Sequence, residues 1–333
     1  MRCFMRDELC QDHPMTSPGT DGLLDPTAFT YSIVIPVYNS EPLVGETVDR
    51  VVEVFTAAGL KYELILVNDG SHDGSWEVIA DRARAHPQVT AINLLKNYGQ
   101  HHANLAGFRE STGDFVITMD DDLQNPPEEA LKLIDRAMHG HDVVFGKFER
   151  KQSAGYRKLG TRLIGMINRR IFLQPPDLVV SNHRILRRDV VDRICAARNA
   201  HPYITGQALM YSSNRANATV RHEPRPTGKS NYSLLRILSL VLTILFSYSS
   251  WPLRAAALGG FAVAGLSFLL GGFYLLSATW RDTRVEGWTT LVVLVAVFSG
   301  LIIAMLSMIG EYVVRTLDAV STRDSYHVSE KVT

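Results

Sequence analysis

Between residues 31 and 146, short apolar runs rich in β-branched side chains alternate with segments whose apolar residues recur at helical spacing. That alternation leaves few architectures open. The runs at 31–37 (YSIVIPV), 63–67, 89–95, 115–119 and 142–146 read as strands, because continuous apolar stretches suit strands covered on both faces. Val44, Val48, Val51, Val52 and Phe55 mark the first helix, with further helices over 76–85 and 97–110 and one ending near Met138. Strand, turn and helix in this repeat predict an α/β fold, a doubly wound and mostly parallel sheet with helices on both faces. Such sheets bind ligands at the carboxyl ends of their strands. No G-x-G-x-x-G turn follows the first strand, which disfavours a classical dinucleotide site.

The turns at that edge are polar in a specific way. Tyr38, Asn39 and Glu41 follow the first strand, Asp69 the second, and Asp120, Asp121, Asp122 and Gln124 the fourth. The last cluster runs into Asn125, Pro126, Pro127 and Glu128, which read as the cap, early prolines and N3 acid of a helix. A lone acidic triplet is as compatible with a solvated turn as with a metal. Hard divalent cations, however, are held by one or two carboxylates together with substrate phosphates, and Asp120, Asp122 and the Gln124 amide oxygen alternate so that they can converge on one ion. Three clusters offering acceptors for a ribose hydroxyl, a base N–H and a metal point to a nucleoside diphosphate bound with a divalent ion.

Composition excludes other classes. A net charge of +0 lacks the basic footprint of a nucleic-acid-binding protein. Cys3, Cys10 and Cys195 show neither metal-ligand spacing nor a disulfide framework, which fits a reducing compartment. The eleven histidines contain no H-x-x-x-H pair. Residues 1–29 have no periodic apolar face and no secretory h-region and read as a mobile tail, with Met15 a second candidate start.

Further on, 156–172 reads as a helix with a basic face, either solvated or resting near anionic head groups. Arg225, Lys229, Ser230 and Asn231 bracket a glycine turn, a grouping able to wrap a phosphate or to form a basic loop ahead of a membrane. Residues 233–254 place Arg236, Ser239, Thr243, Ser247 and Ser250 on one stripe of an apolar helix, as an in-plane amphipathic helix does. Residues 255–279 and 288–310 carry no charge, and each exceeds the roughly 20 residues needed to cross a bilayer core. Arg221, Arg225, Lys229, Arg236 and Arg254 precede the first span, against Arg281 and Arg284 between the two. This bias predicts a protein of the cytoplasmic membrane with its catalytic part and the 315–333 tail in the cytoplasm.

The blocks SIVIPVYNSE, LVNDGSHDGS, NYGQHHANLAGF, MDDDLQNPPEE, the Ser181-Asn182-His183-Arg184 loop, RPTGKSNY and the Gly310-Glu311-Tyr312 signature resemble those of family 2 glycosyltransferases with the GT-A fold. They are similar in particular to undecaprenyl-phosphate aminoarabinose transferases and dolichyl-phosphate mannose synthases. The resemblance implies a 30–232 catalytic domain in which Pro36, Tyr38, Glu41 and Asp69 line the nucleoside pocket. It further implies that Asp120, Asp122 and Gln124 hold Mg²⁺ or Mn²⁺, that the 181–184 loop shapes the sugar side of the pocket, and that Arg225, Lys229 and Ser230 contact donor or acceptor phosphate. Asp121, in the variable position of the motif, faces the same donor with its role open. The implied reaction is inverting transfer from a nucleotide-sugar, favoured as UDP-linked, to a membrane polyprenyl phosphate, by a homotetramer. A processive polysaccharide synthase and a non-catalytic nucleotide-binding membrane regulator are the alternatives.

Overall fold

A computed structural model describes residues 23–148, 165–166, 169–197, 202–223, 287–320 and 326–333, with scattered positions between 248 and 269. The strands are β1 (Thr30–Val37), β2 (Lys61–Asn68), β3 (Val89–Leu94), β4 (Phe115–Thr118), β5 (Val143–Phe148), β6 (Arg184–Arg187), β7 (Arg215–Val220) and β8 (Val328–Val332). They form one sheet in the order β7-β5-β6-β4-β1-β2-β3-β8. β1 runs parallel to β2 and β4, β2 to β3, and β5 to β7. β6 runs antiparallel between β4 and β5, and β8 antiparallel along β3, so the sheet is mixed.

The helices α1 (Glu41–Ala57), α2 (Ser75–Ala85) and α4 (Glu128–Ala137) bury Val44, Val48, Val51, Phe55, Ile79, Leu133 and Ile134 against Tyr31, Ile33 and Ile35 on one face. On the other face α3 (Gln100–Glu110), α5 (Arg188–Ala196) and α6 (Ile204–Tyr211) cover Val34, Ile65, Val67 and Val116. Period-two exposure of β1 to two helical layers is the physical content of a doubly wound sheet. Each branched side chain shut from water there contributes about 1.5–3 kcal/mol. Gly107 lets α3 lie directly on Val34, where a Cβ would collide with that side chain.

Two helix starts differ from the sequence reading by more than one residue. α3 begins at Gln100 rather than at 97, because Gly99 has φ 93°, which is incompatible with a helical turn, while Asp69 holds the Tyr98 and Gly99 amides ahead of it. α4 begins at Glu128 with Pro127 as its cap, so Asn125 is not the cap and Glu128 is not the third residue. The Asn125 side chain is turned to Asp120 instead.

The chain end is also more structured than a tail. β8 completes the sheet edge, with Tyr326 buried beneath the Arg109 guanidinium and Lys331 paired with Glu110. Helix α7 (Trp288–Val320) runs 33 residues and contains the expected second span whole. Among the described residues no helix is long and apolar enough to cross a membrane, so the structure does not show the two expected spans; many α7 side chains and most of 255–279 lie outside the described residues. So do Arg225, Lys229, Ser230, most of the basic 156–172 segment, and the 233–254 segment except positions 248 and 249.

Candidate active site

The carboxyl ends of β1, β2 and β4 bring the three expected clusters to one edge. The turn after β1 and the loop after β2 are interlocked. The Asn39 amide donates to Ser71 Oγ (3.0 Å), His72 N donates to Asn39 Oδ1 (2.9 Å), and Gly74 N donates to Glu41 Oε2 (2.9 Å). Glu41 thereby closes the N-terminus of α2, and Tyr38 is left 44% exposed at the rim. Pro36 lies inside β1, one strand residue before the turn.

Asp69 is 3% exposed, and its two oxygens accept the Tyr98 and Gly99 amides at 2.7 and 2.9 Å. Burial raises its pKa against the pull of those amides. Gly70, at φ 62°, permits this closure, since a Cβ there would strike the backbone of Lys96 and Asn97.

The acidic turn after β4 divides its carboxylates between two tasks. Asp121 turns back to β1: its Oδ2 accepts the Tyr38 amide (3.2 Å), Ser40 also bonds its carboxylate, and its carbonyl accepts Thr47 Oγ1 (3.1 Å). The residue whose role the sequence left open therefore staples the first cluster to the third. Asp120 is partly exposed. Its Oδ1 accepts Gln100 Nε2 (2.7 Å) and its Oδ2 accepts Asn125 Nδ2 (3.4 Å). Burial, then the charges of Asp122 and Asp121, push its pKa up to about 7.

Asp122 is 8% exposed, and its Oδ1 accepts the Gln124 amide (3.2 Å) across Leu123, which holds φ 57°. A left-handed leucine is costly, and such backbone strain clusters at functional turns. Among the described residues no group of three or more His, Cys, Asp or Glu side chains is arranged as a metal cage. Crowded, mutually repelling Asp120 and Asp122 nonetheless fit a hard cation that draws its remaining ligands from a diphosphate, while the Gln124 side chain is directed through Nε2 to Glu223 O (3.5 Å).

Beyond β7 the chain runs along this turn. Glu223 N donates to Gln124 O (2.9 Å), and Arg221 binds Glu129, through Nε at 2.8 Å and through its amide at 3.0 Å. Arg225 follows Glu223 by two positions in sequence.

Gln100 had no role in the sequence reading. Gln100 receives Asn182 Nδ2 on its Oε1 (3.1 Å), so an amide chain runs from β6 to Asp120. Arg184 is fully buried, with Nη1 on Thr205 Oγ1 (2.8 Å) and Nε and Nη2 without partners. Burial pushes it down to about 10, against the opposing influence of Tyr203 and Asp120. Asn182 and Arg184 lie in a block that the sequence did single out. Nothing local distinguishes Gln100 from a helix-surface glutamine.

The chain matches the model of the family described as "Glycosyl transferase family 2" over residues 32–195. It is 33% identical to an undecaprenyl-phosphate 4-deoxy-4-formamido-L-arabinose transferase of Aeromonas hydrophila, over 90% of this chain and 93% of that protein. It is 31% identical to the uncharacterized glycosyltransferase YkcC of Bacillus subtilis, over 90% and 93%. Among solved structures, the glucosyl-3-phosphoglycerate synthase of Mycobacterium tuberculosis in complex with Mn²⁺, UDP and phosphoglyceric acid superposes with a TM-score of 0.50 at 17% identity, covering 70% of this chain and 83% of that one.

Proposed function

The chain belongs to glycosyl transferase family 2, and from that premise we propose that it moves a sugar from a UDP-linked donor to a membrane polyprenyl phosphate with inversion at the anomeric carbon. The observation that carries this reading is the stapled edge. Asp121 fixes the Tyr38 turn to the Asp120–Asp122 turn, and the 221–223 segment runs along that turn into the Arg225–Ser230 stretch. A nucleoside at Tyr38 and Asp69 and a diphosphate at Asp120 and Asp122 then share one sheet edge, and Arg225 and Lys229, which follow Glu223 in sequence, are the cations proposed for a second phosphate. The relatives named as undecaprenyl-phosphate transferases support the acceptor, and the Mn²⁺- and UDP-bound neighbour supports the donor and the ion.

In the reaction, an oxygen of the acceptor phosphate attacks the anomeric carbon. The bond from that carbon to the donor diphosphate breaks, and its electron pair leaves on UDP. A phosphomonoester with a second pKa near about 6 is mostly dianionic at neutral pH, so the nucleophile needs no strong base. Asp120, Asp122 and Gln124 would hold Mg²⁺ or Mn²⁺, which when bound supplies charge neutralisation for the leaving diphosphate. Arg225, Lys229 and Ser230 would orient phosphate, Arg by paired donors and Lys as a point charge. The uncharged 255–279 and 288–310 stretches would anchor this edge at the bilayer.

The test is transfer from radiolabelled UDP- and GDP-sugars to short polyprenyl phosphates by purified membranes with Mg²⁺ or Mn²⁺. Asp122→Ala should abolish metal-dependent transfer while leaving membrane insertion intact. Undiminished turnover in that variant would remove the metal from Asp122, and absence of transfer from every donor by folded protein would sink the reading.

A further inference from the structure

The turn after β1 and the loop after β2 hang from one hydrogen-bond chain. Asn39 N donates to Ser71 Oγ (3.0 Å), Ser71 Oγ donates to Asn68 Oδ1, and Asn68 Nδ2 donates to Asn93 Oδ1 (2.8 Å). Asn68 ends β2 and stands opposite Asn93 in the parallel β2–β3 register. It is 2% exposed, so neither end of its amide has bulk water as an alternative partner. Leaving such a group unpaired costs more than the bond itself contributes. Every donor in the chain points the same way, and its last acceptor, Asn93, sets where the chain is anchored.

Asn93 is held from its other side by the end of the polypeptide. Along β8, Asn93 lies opposite Glu330 and Leu94 opposite Val328, so Ser329 falls in a bulge between them. Bulges re-aim side chains beside functional sites. This one sets Ser329 Oγ on the Asn93 carbonyl (3.0 Å). Just past β3, Leu95 N donates to His327 O (2.9 Å). That bond fixes the exit of β3, after which the Lys96–Asn97 backbone packs on Gly70 and the Tyr98 and Gly99 amides bind Asp69. Two lines therefore run from β8 into the site, one to the Tyr38 turn and one to Asp69.

Core burial does not account for where the polar groups of this strand land. Residues 327–331 are exposed, and the apolar anchors are Tyr326 beneath Arg109 and the partly buried Val332. The Lys331–Glu110 pair is open to solvent and of small worth. We propose that the C-terminal strand is a positioning element of the donor site: through Ser329, Asn93, Asn68 and Ser71 it holds the Tyr38 turn in the conformation that takes a nucleoside. The inference rests on the transferase reading above for the nucleoside, and on the hydrogen bonds alone for the turn.

The experiment has two arms on the detergent-solubilised full chain: hydrogen exchange over residues 38–41 without nucleotide, and calorimetric binding of UDP with Mn²⁺. Ser329→Ala should speed exchange in the turn and weaken UDP about threefold, and Asn93→Ala should do the same by about tenfold. Asn93→Asp, which keeps an acceptor for Asn68 Nδ2, should return both readings to within about twofold of wild type. Lys331→Ala, on the same strand but outside the chain, should move neither beyond about twofold. The double variant Ser329→Ala/Asn93→Ala should bind UDP no more weakly than Asn93→Ala, because members of one chain are not additive.

Unchanged exchange and UDP affinity in Ser329→Ala would mean that β8 only covers the edge of β3, and the inference fails. It fails equally if Lys331→Ala is as damaging as Ser329→Ala, or if the two losses multiply in the double variant. Faster exchange in the turn of protein that binds no UDP even as wild type would overturn the UDP-linked donor and, with it, the nucleoside role assigned to the strand.

Discussion

Asp120→Asn should yield a protein that is inactive yet more stable, and the gain should exist only above acidic pH. The carboxyl of Asp120 is displaced from an ordinary 3.8 to about 7, by burial first and then by Asp122 and Asp121, with Gln100 pulling the other way. A folded-state pKa above the unfolded one means that the folded chain keeps a proton which the unfolded chain releases between about pH 4 and pH 7. Stability from this group therefore falls as pH rises through that window. A gap of about three pH units, at about 1.4 kcal/mol each, caps the cost at about 4 kcal/mol above pH 7. Solvent reaches the carboxylate, so about 1–3 kcal/mol is the working figure. Asparagine keeps an oxygen for Gln100 Nε2 and deletes the charge. In chelator-treated, detergent-solubilised protein, the variant should melt at a higher temperature than wild type at pH 8 and within error of it at pH 4.5. Mn²⁺ with UDP should raise the wild-type midpoint and leave that of the variant unmoved. A variant no more stable at pH 8, or equally stabilised at both pH values, would refute the claim that charge crowding at Asp120 is what a bound ion relieves.

Two further outcomes follow from the same structure. Glu129 is 1% exposed in its side chain and bound by Lys132 and by both the amide and the guanidinium of Arg221. Burial alone would raise it, but these partners outweigh burial and hold it at about 2. Its stabilisation is therefore present above about pH 4.5 and lost as pH falls toward about 2. Because both cations are half-exposed, Glu129→Gln should cost about 1–2 kcal/mol at pH 7 and progressively less below pH 4.5, and a deficit that stays constant in melts down to pH 3 would contradict the assignment. For the proposed two-span topology, Asp282→Cys in a background lacking the native cysteines should react with an impermeant thiol reagent from the outer side of intact cells, while Ser329→Cys should react only after permeabilisation. Equal labelling of both would overturn the two-span topology.

What the sequence made legible was whatever carried a dense, one-sided signal. β1 to β5 fall within two residues of their expected bounds because buried parallel strands are continuous apolar runs. β6 was hidden because RILR is half arginine, and one of those arginines, Arg184, is buried rather than solvated. β8 was hidden because VSEKV is an edge strand whose polar residues face water, composition that a solvated tail shares. At the site, residue types pointed to carboxylates and a cation, but not to how three adjacent aspartates divide. Asp121 belongs to the β1 turn and Asp120 to α3, a separation made by partners 83 and 20 residues away in the chain. Asn125 was misread for the same reason: capping propensity is local, and the pull of Asp120 on its amide is not.

β8 also constrains the proposed membrane topology more tightly than hydropathy does. Residues 328–332 pair with β3, so they lie on the same side of any bilayer as Asp69 and Asp120. Any path through a membrane between Glu223 and Tyr326 must then cross it an even number of times, which agrees with the two crossings proposed for the uncharged stretches. α7 at 33 residues is about 50 Å long, against a hydrocarbon core of about 30 Å. On the proposed topology, its last turns extend past the bilayer toward the catalytic domain. Tyr312 in those turns donates to Ser249 O (3.1 Å), and the preceding residue, Tyr248, accepts the Tyr203 amide (2.9 Å) beside Phe172. The domain is therefore held at two separated points, Tyr203 at the start of α6 and the β3 edge. Two attachments restrict rotation where one would permit it, and this fixes the edge carrying Asp120 relative to the end of α7. A soluble nucleotide-sugar can diffuse to any orientation of the site. A lipid-bound phosphate, the proposed acceptor, cannot, so on that proposal the pairing of residues 328–332 with β3 serves to hold the site in one orientation toward its acceptor.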